Sequence, residues 1–558
     1  MLRSKARSTG RVNPKRDAWT VITLVLLCLN LLFLIYPLVI LLRDSFMSSA
    51  GGFTLDHFIK FFSESYYLKT VGNSFMLSFV VTVITLIIGV PLAYFFCMFK
   101  IRGKGLLNII IVLCSMSAPF IGAYSWILLL GRNGLITSFL KDTFGIRLGT
   151  IYGFKGIVLV LCLQLFPLVF LYVNGALKSL DNSLLEASES LGCAGFKRFI
   201  TVIIPLCIPT ILAAALMIFM RAFADFGTPL FIGEGYRTFP VEIYNQFMNE
   251  TGGDKNFAAA VSVLAILITT VIFVIQKWVN GKFQFTINAL HPVSPKKAKG
   301  VGNILIHVFC YLVVFVAYAP QLYVIYNSFR KTSGKIFVSG YSLDSYSTAW
   351  DLIGRAVLNT VLIGALALVM IIVISVLIAY LVVRRNNFIN RLIDIMTMIP
   401  YVIPGAVVAI SLVVAFNRQP LVLVGTYSIM IIALVIRRNA YTTRSSIAIL
   451  QQIPMSIEEA AMSLGCSRLT AFFKVTLPMM FNGIVSGALL SWISIITELS
   501  SAILLYNFAT ITLTIQIYVS VSRGNYGVAA AMSTILSAIT ALSLLLFMKI
   551  SKDKDLVM

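Results

Sequence analysis

Two matched strings carry the most specific pattern in this 558-residue chain. Glu186-Ala187-Ser188-Glu189-Ser190-Leu191-Gly192 leads to Val202-Ile203-Ile204-Pro205, and Glu459-Ala460-Ala461-Met462-Ser463-Leu464-Gly465 leads to Val475-Thr476-Leu477-Pro478. The spacing from Glu to Gly is 6 and from Glu to Pro is 19 in both. Neither string pairs a nucleophile with a base, so the chemistry on offer is mechanical. Leu184, Ala187 and Leu191 fall at i, i+3, i+7, as do Ile457, Ala460 and Leu464, which predicts a short amphipathic helix in each. Ser183 three residues before Glu186, and Ser456 three before Glu459, predict capping boxes. Gly192 and Gly465 permit a sharp turn. Phe196, Phe199 and Ile200, matched by Leu469, Phe472 and Phe473, predict a second short helix, and Pro205 and Pro478 sit where a further helix can begin. The product is a helix-Gly-helix elbow, made twice. Capping alone would give Glu186 and Glu459 a structural role worth about 0.5–2 kcal/mol; recurrence of the whole string argues that they also dock something.

A second matched pair, Asp225 and Glu498, lies 20 residues past each Pro, about 30 Å along a helix. That predicts two carboxylates at the outer mouth of a pathway, a hard oxygen environment suited to a hard cation. The alternative is a wetted helix end, or an ion pair of Asp225 with Arg221 one turn earlier. His57, His291 and His307 are scattered and read as solvated or packed. Cys28, Cys97, Cys114, Cys162, Cys193, Cys207, Cys310 and Cys466 contain no CxxC pair, so neither a disulfide framework nor a zinc site is indicated. No HExxH, GxSxG or GxxxxGK[ST] string occurs, so no zinc-protease, serine-hydrolase or P-loop chemistry is encoded.

The elements that position these residues lie in lipid. Hydrophobic residues are 59% of the chain and charged residues 12%, against about 25% charged in soluble domains, and mean hydropathy is +0.94. A net charge of +23 without a basic domain or aromatic-basic interleaving excludes nucleic-acid binding and fits topology control by basic loops. At about 20 apolar residues per span, twelve candidates follow: 19–42, 71–99, 106–130, 156–174, 201–223 and 257–276, then 303–326, 357–383, 392–416, 420–436, 476–497 and 526–549. The tenth is short and stops at Arg437-Arg438. Acidic residues such as Asp44, Asp56, Glu64, Glu234, Glu242, Asp344 and Asp351 fall on one side, and the basic N-tail, 1–18, falls on the other. Both termini are therefore expected in the cytoplasm. The domain reading is a first half, 19–276, with its elbow loop at 178–205; a basic linker, 277–302; a second half, 303–549, with its elbow loop at 451–478; and a C-tail, 550–558.

The halves repeat. Asn73 with Ala93-Tyr94 matches Asn359 with Ala379-Tyr380, and Pro37 with Ser45-Phe46 matches Pro320 with Ser328-Phe329. Six spans per half is even, so the copies run parallel, related by a pseudo-twofold axis along the membrane normal.

The elbow string resembles the EAA loop of permease subunits in binding-protein-dependent ABC importers, in the fused two-half form most like ferric-iron importer permeases. Ala224-Asp225-Phe226-Gly227-Thr228-Pro229, Thr497-Glu498-Leu499-Ser500-Ser501 and the string from Arg437 to Ala461 look like segments of that group. The resemblance implies an all-α polytopic membrane protein with about twelve transmembrane helices in two parallel six-helix repeats, the type I ABC importer transmembrane fold. It implies ATPase coupling by Glu186, Ala187, Gly192, Glu459, Ala460 and Gly465, with Ser188 standing where the family usually has Ala. It implies two ATPase subunits, which carry the ATP-Mg while this chain carries no cofactor, and an extracytoplasmic binding protein, in a bacterial inner membrane. The cargo implied is ferric iron, with thiamine, polyamine or aminophosphonate as alternatives; Asp225, Glu498 and Arg221 are the candidate pathway residues. The rival from another class is an ion-coupled secondary transporter, which predicts Gly/Pro-interrupted midplane spans and no twinned elbow. The other rival, a membrane enzyme, would need a catalytic cluster.

Overall fold

Lipid offers no partner to a backbone N–H or C=O, so an apolar run there closes its own hydrogen bonds as a helix. The computed structural model describes residues 18–551 except 49–50, 117–118, 148, 249–253, 283–292, 294, 299 and 335. Almost all of the N-tail 1–18 and the C-tail 550–558, the middle of the linker 277–302, and His291 lie outside the described residues.

The first half runs α1 (Ala18–Ser45), α2 (Asp56–Ser63), α3 (Ser65–Met98), α4 (Lys104–Met116), α5 (Pro119–Leu130), α6 (Leu135–Phe144), α7 (Phe154–Lys178), α8 (Asn182–Ser190), α9 (Gly195–Phe223), α10 (Gly227–Ile232), α11 (Phe239–Met248) and α12 (Lys255–Lys282). The second half runs α13 (Gly300–Ser328), a hairpin of β1 (Arg330–Ser333) and β2 (Ile336–Tyr341), α14 (Asp344–Arg384), α15 (Phe388–Val402), α16 (Gly405–Phe416), α17 (Tyr427–Gln452), α18 (Met455–Ser463), α19 (Arg468–Met479), α20 (Phe481–Ile496), α21 (Ala502–Leu505), α22 (Leu513–Ser522) and α23 (Tyr526–Ser551). The order repeats, with α6 peculiar to the first half and the antiparallel hairpin, an element the spans do not predict, peculiar to the second.

Among the described residues eight helices are long and apolar enough to cross a membrane, ten if two bent pairs are counted as spans. The expected count of twelve is not confirmed, and the helices depart from the expected spans at particular places. The third expected span is described as α4 and α5, on either side of residues 117–118. The ninth bends by 111° between α15 and α16, at Ile403-Pro404. The tenth does not stop at Arg437-Arg438: Thr426 caps a 26-residue helix that carries both arginines onward to Gln452. The eleventh bends by 69° between α19 and α20.

Three π turns, Leu31–Ile35, Phe199–Ile203 and Phe472–Thr476, each stand two residues before a proline, Pro37, Pro205 and Pro478. The wider turn lets the chain carry a residue that would clash with the preceding carbonyl in a regular helix.

Small residues set the close contacts. Ala258, Ala259 and Ala260 of α12 and Ala529, Ala530 and Ala531 of α23 are fully buried, at matching positions of the two halves. The first helix of each half crosses to the other. Trp19 of α1 stacks on Tyr380 at 4.2 Å and meets Phe472 edge-on at 5.1 Å. In return Phe309 of α13 packs on Phe95 at 5.6 Å, and Tyr311 donates to the Arg102 carbonyl at 2.7 Å. One apolar cluster runs through both halves, from Leu41 and Phe223 to Val407 and Ile496.

Candidate functional site

Each elbow is assembled from local forces. In the first, Asp181, not Ser183, caps α8, accepting from the Ser183 N–H at 2.9 Å. In the second, Pro454 occupies the cap position without a side-chain bond, and Ser456 caps nothing. The capping-box expectation is thus corrected: Glu186 accepts instead from the Asn182 side chain at 2.6 Å. The turns are identical. Gly192 N–H donates to the Glu189 carbonyl and Cys193 N–H to that of Ser188; Gly465 N–H donates to Met462 and Cys466 N–H to Ala461. This double bond is the Schellman arrangement. Its left-handed position is filled by Gly192 at φ +76° and Gly465 at φ +92°, with no atom within 4 Å of either prospective Cβ. Backbone angle alone therefore calls for glycine.

The inner faces differ from the expected stripe. Leu185 and Ser188 are buried in α8, and Glu458 and Ala461 in α18, whereas Glu186, Ala187, Gly192, Glu459, Ala460 and Gly465 are all exposed. The apolar stripe points outward, apart from half-buried Ile457, and ends on Leu191 and Leu464, each 87% exposed. Behind each elbow a tyrosine of the long helix braces the π turn, Tyr94 on Phe199 at 4.5 Å and Tyr380 on Phe472 at 4.8 Å.

The anchors differ. In the second elbow the buried Glu458 carboxylate accepts from Arg384 Nε at 2.8 Å and from the Tyr380 hydroxyl at 3.1 Å, while Arg384 also donates to the Ile453 carbonyl. In the first, exposed Glu189 accepts from Arg198 at 3.0 Å and lies 3.5 Å from Lys296 Nζ of the linker. The Arg198 hydrogen bond, then the Lys296 charge, hold the Glu189 carboxyl below its ordinary pKa. Lys296 is itself paired through its backbone to Met98 and Lys100. Sequence reasoning passed over Glu458 and Arg384, which no motif joins.

Between the halves lies a cavity of about 410 Å³ lined by Arg221 and Asp225 from the first half and Arg438, Tyr441 and Glu498 from the second. A neighbouring cavity of about 210 Å³ shares Arg221, Asp225, Arg438 and Tyr441 and adds Arg437 and Tyr401. The structure thus brings the three sequence-predicted residues Arg221, Asp225 and Glu498 together, but not as expected. Glu498 is buried and accepts from Arg437 and Arg438 through separate oxygens, so its carboxylate is already engaged. Asp225 accepts from the Thr228 N–H at 3.0 Å, and no ion pair with Arg221 forms among the described residues. Arg221 reaches the Tyr441 hydroxyl, at 3.5 Å, and that of Tyr401.

The outer-mouth placement is also corrected. Arg437 is the eleventh residue of α17, about 15 Å in from that helix's end away from the elbows, and Glu498 is bonded at that level. The count from Pro478 gives length along α20, not depth: Glu498 follows the end of that helix and bonds to Arg437 and Arg438 inside α17. Arg437, Arg438 and Tyr441 were missed as site residues. A charged pair breaking an apolar run was the available signal, and it was read as the end of a span.

All eight cysteines are free, and no three metal-ligating side chains converge among the described residues. His57 faces the Met47 carbonyl at 3.1 Å and Asp254 at 3.4 Å, and His307 the Asn303 carbonyl at 2.8 Å, so both are packed as expected.

Comparison with known proteins agrees with this arrangement over both halves. The signature of the family described as "Binding-protein-dependent transport system inner membrane component" matches residues 8–284 and 371–553. The ferric transport system permease protein FbpB of Actinobacillus pleuropneumoniae is 27% identical over 540 residues, 94% of this chain and 77% of that protein. Shorter relatives match about one half: the spermidine/putrescine transport system permease protein PotB of Haemophilus influenzae, 30% identical over 43% of this chain and 87% of its own length, and the molybdenum transport system permease protein ModB of the same organism, 28% identical over 37% and 93%. The family is one of transport permeases, not enzymes, whose members work with a binding protein and an ATPase. Carrying that signature in both halves of a polytopic all-α bundle, the chain belongs to the binding-protein-dependent transport system inner membrane components.

Proposed function

We propose that this chain is the two-half permease of an ATP-driven importer that passes ferric iron from an extracytoplasmic binding protein into the cytoplasm. The elbow end faces the cytoplasm, with both termini on that side. Two ATPase subunits, each carrying ATP-Mg, seat on the two elbows, where Glu186, Ala187 and Gly192, and Glu459, Ala460 and Gly465, form the contact. Closure of the ATPases draws the elbows together, and the helices braced behind them rock between inward-open and outward-open states. Arg221, Asp225 and Glu498 line the route.

The observation that carries this reading is the pair of identical Schellman elbows, each presenting an almost fully exposed leucine. An exposed apolar side chain at the same point of two repeats is best explained by a partner that covers it. The broken helix at Pro404-Gly405 is a feature of the secondary-transporter rival, but that rival supplies no reason for twin elbows. Ferric iron is favoured by the relative that spans nearly the whole chain, whereas the polyamine and molybdenum relatives match only one half.

Two measurements test it. An ATPase should co-purify with the wild-type chain and be lost from Gly465→Pro, since proline cannot adopt φ +92°. Uptake of radiolabelled ferric iron, compared with thiamine, a polyamine and an aminophosphonate in a deletion strain, should be restored for iron alone; restoration of another cargo overturns the iron assignment.

A further inference from the structure

The chamber between the halves holds more cation than anion. Arg221, Arg437 and Arg438 supply three guanidinium groups, and Asp225 and Glu498 two carboxylates. Glu498 is shared by two of the guanidiniums, so one carboxylate answers two positive charges. The Nε–H groups of Arg437 and Arg438 are buried and have no acceptor. Arg221 has no carboxylate partner among the described residues; its partners are the hydroxyls of Tyr441, at 3.5 Å, and Tyr401. A guanidinium at membrane depth without a counter-charge is costly, and such groups face a cavity or a ligand that compensates them. Planar guanidinium groups match the oxygens of carboxylate and phosphate in two-point hydrogen bonds.

Resting on the permease reading above, we propose that the chamber receives its cargo as an oxyanion, gripped by Arg221 from one half and Arg438 from the other, and that it rejects a bare metal cation. Iron then crosses wrapped in oxyanion ligands, its positive charge hidden from the arginines. Because the two arginines come from opposite halves, rocking the halves apart opens the grip and releases the cargo without any covalent step.

The test uses the purified full-length chain in nanodiscs and equilibrium binding of two probes, radiolabelled citrate alone and ferric citrate labelled with iron. At least one probe should bind. Binding of citrate alone assigns the site to a free oxyanion, and binding of ferric citrate only assigns it to the metal complex; both support the proposal. Arg221→Gln should weaken binding by about tenfold to a hundredfold, the loss of one charge-assisted hydrogen bond, and Arg221→Lys should restore part of it. Asp225→Asn, which removes negative charge from the same chamber, should tighten binding. The proposal is overturned if neither probe binds the wild type, if Arg221→Gln binds normally, or if Asp225→Asn fails to tighten binding. Binding needs no ATP turnover. A chain that binds the anion yet engages no ATPase would sink the permease reading alone, and an ATPase-coupled chain that binds neither probe would sink this one alone.

Discussion

Glu498 pairs with two arginines through a single side chain inside an apolar bundle, so removing its charge strands both. Glu498→Gln is expected to cost about 3–5 kcal/mol, seen as a large drop in the thermal unfolding midpoint of the purified protein in detergent. Gly405 makes room for the same cluster: a Cβ there would fall 2.5 Å from Arg437 Nη1 and 2.7 Å from Ser500 Cβ. Gly405→Ala should destabilise by about 1–3 kcal/mol, the range for overpacking, measured in the same assay, with iron uptake reduced because Arg437 is displaced. None of this was legible in sequence. Arg437 and Arg438 look like the end of a span, since the counter-ion that permits them lies some sixty residues onward, in another helix. The acids Asp225 and Glu498 were found because they repeat, as do the amides of Thr228 and Ser501 from which they accept, but the arginines that hold Glu498 do not repeat and read as the end of a span.

The elbows are the elements in which sequence and structure agree best, because each is closed by hydrogen bonds that reach no further than five residues. The turn glycines follow directly from that short range. The caps do not, since Asp181 lies one turn outside the string that drew attention, and nothing local marks the π turns except the prolines after them. As Leu191 and Leu464 rest on nothing, Leu191→Asp with Leu464→Asp should alter stability by no more than about 0.5 kcal/mol while ATPase co-purification and uptake are lost; retention of both would remove the docking role. The first elbow carries a pH signature. Glu189 has its pKa depressed by Arg198 and Lys296, so its contribution to holding the linker is present above the ordinary carboxylate range, about pH 4, and is lost as pH falls through the depressed value. The protection factor of the Lys100 amide, which donates to the Lys296 carbonyl at 3.0 Å, should fall in acid relative to the intrinsic exchange rate at the same pH. The second elbow, held by buried Glu458 and Arg384, should keep its protection after Glu189→Gln.

At the scale of the molecule, the parallel repeat could be read from paired strings, whereas the exchange of first helices could not, because α1 and α13 are apolar on every face that lipid or protein might cover. That exchange predicts that residues 1–290 and 291–558, made as separate polypeptides, will co-purify as a working pair; recovery of each fragment alone would show that the crossed helices do not hold the halves together. The same exchange bears on biosynthesis. Trp19 leaves the ribosome early, and its stacking partner Tyr380 follows about 360 residues later, a delay on the order of 20–70 s at ordinary rates of elongation. For that interval the Trp19 end of α1 lacks its partners from the second half. Its mean hydropathy of 2.8, with only 22% of its apolar window buried even in the finished fold, suits it to wait alone among acyl chains. A nascent chain halted before Tyr380 is translated should therefore sit stably inserted yet remain open to protease on the ribosomal side.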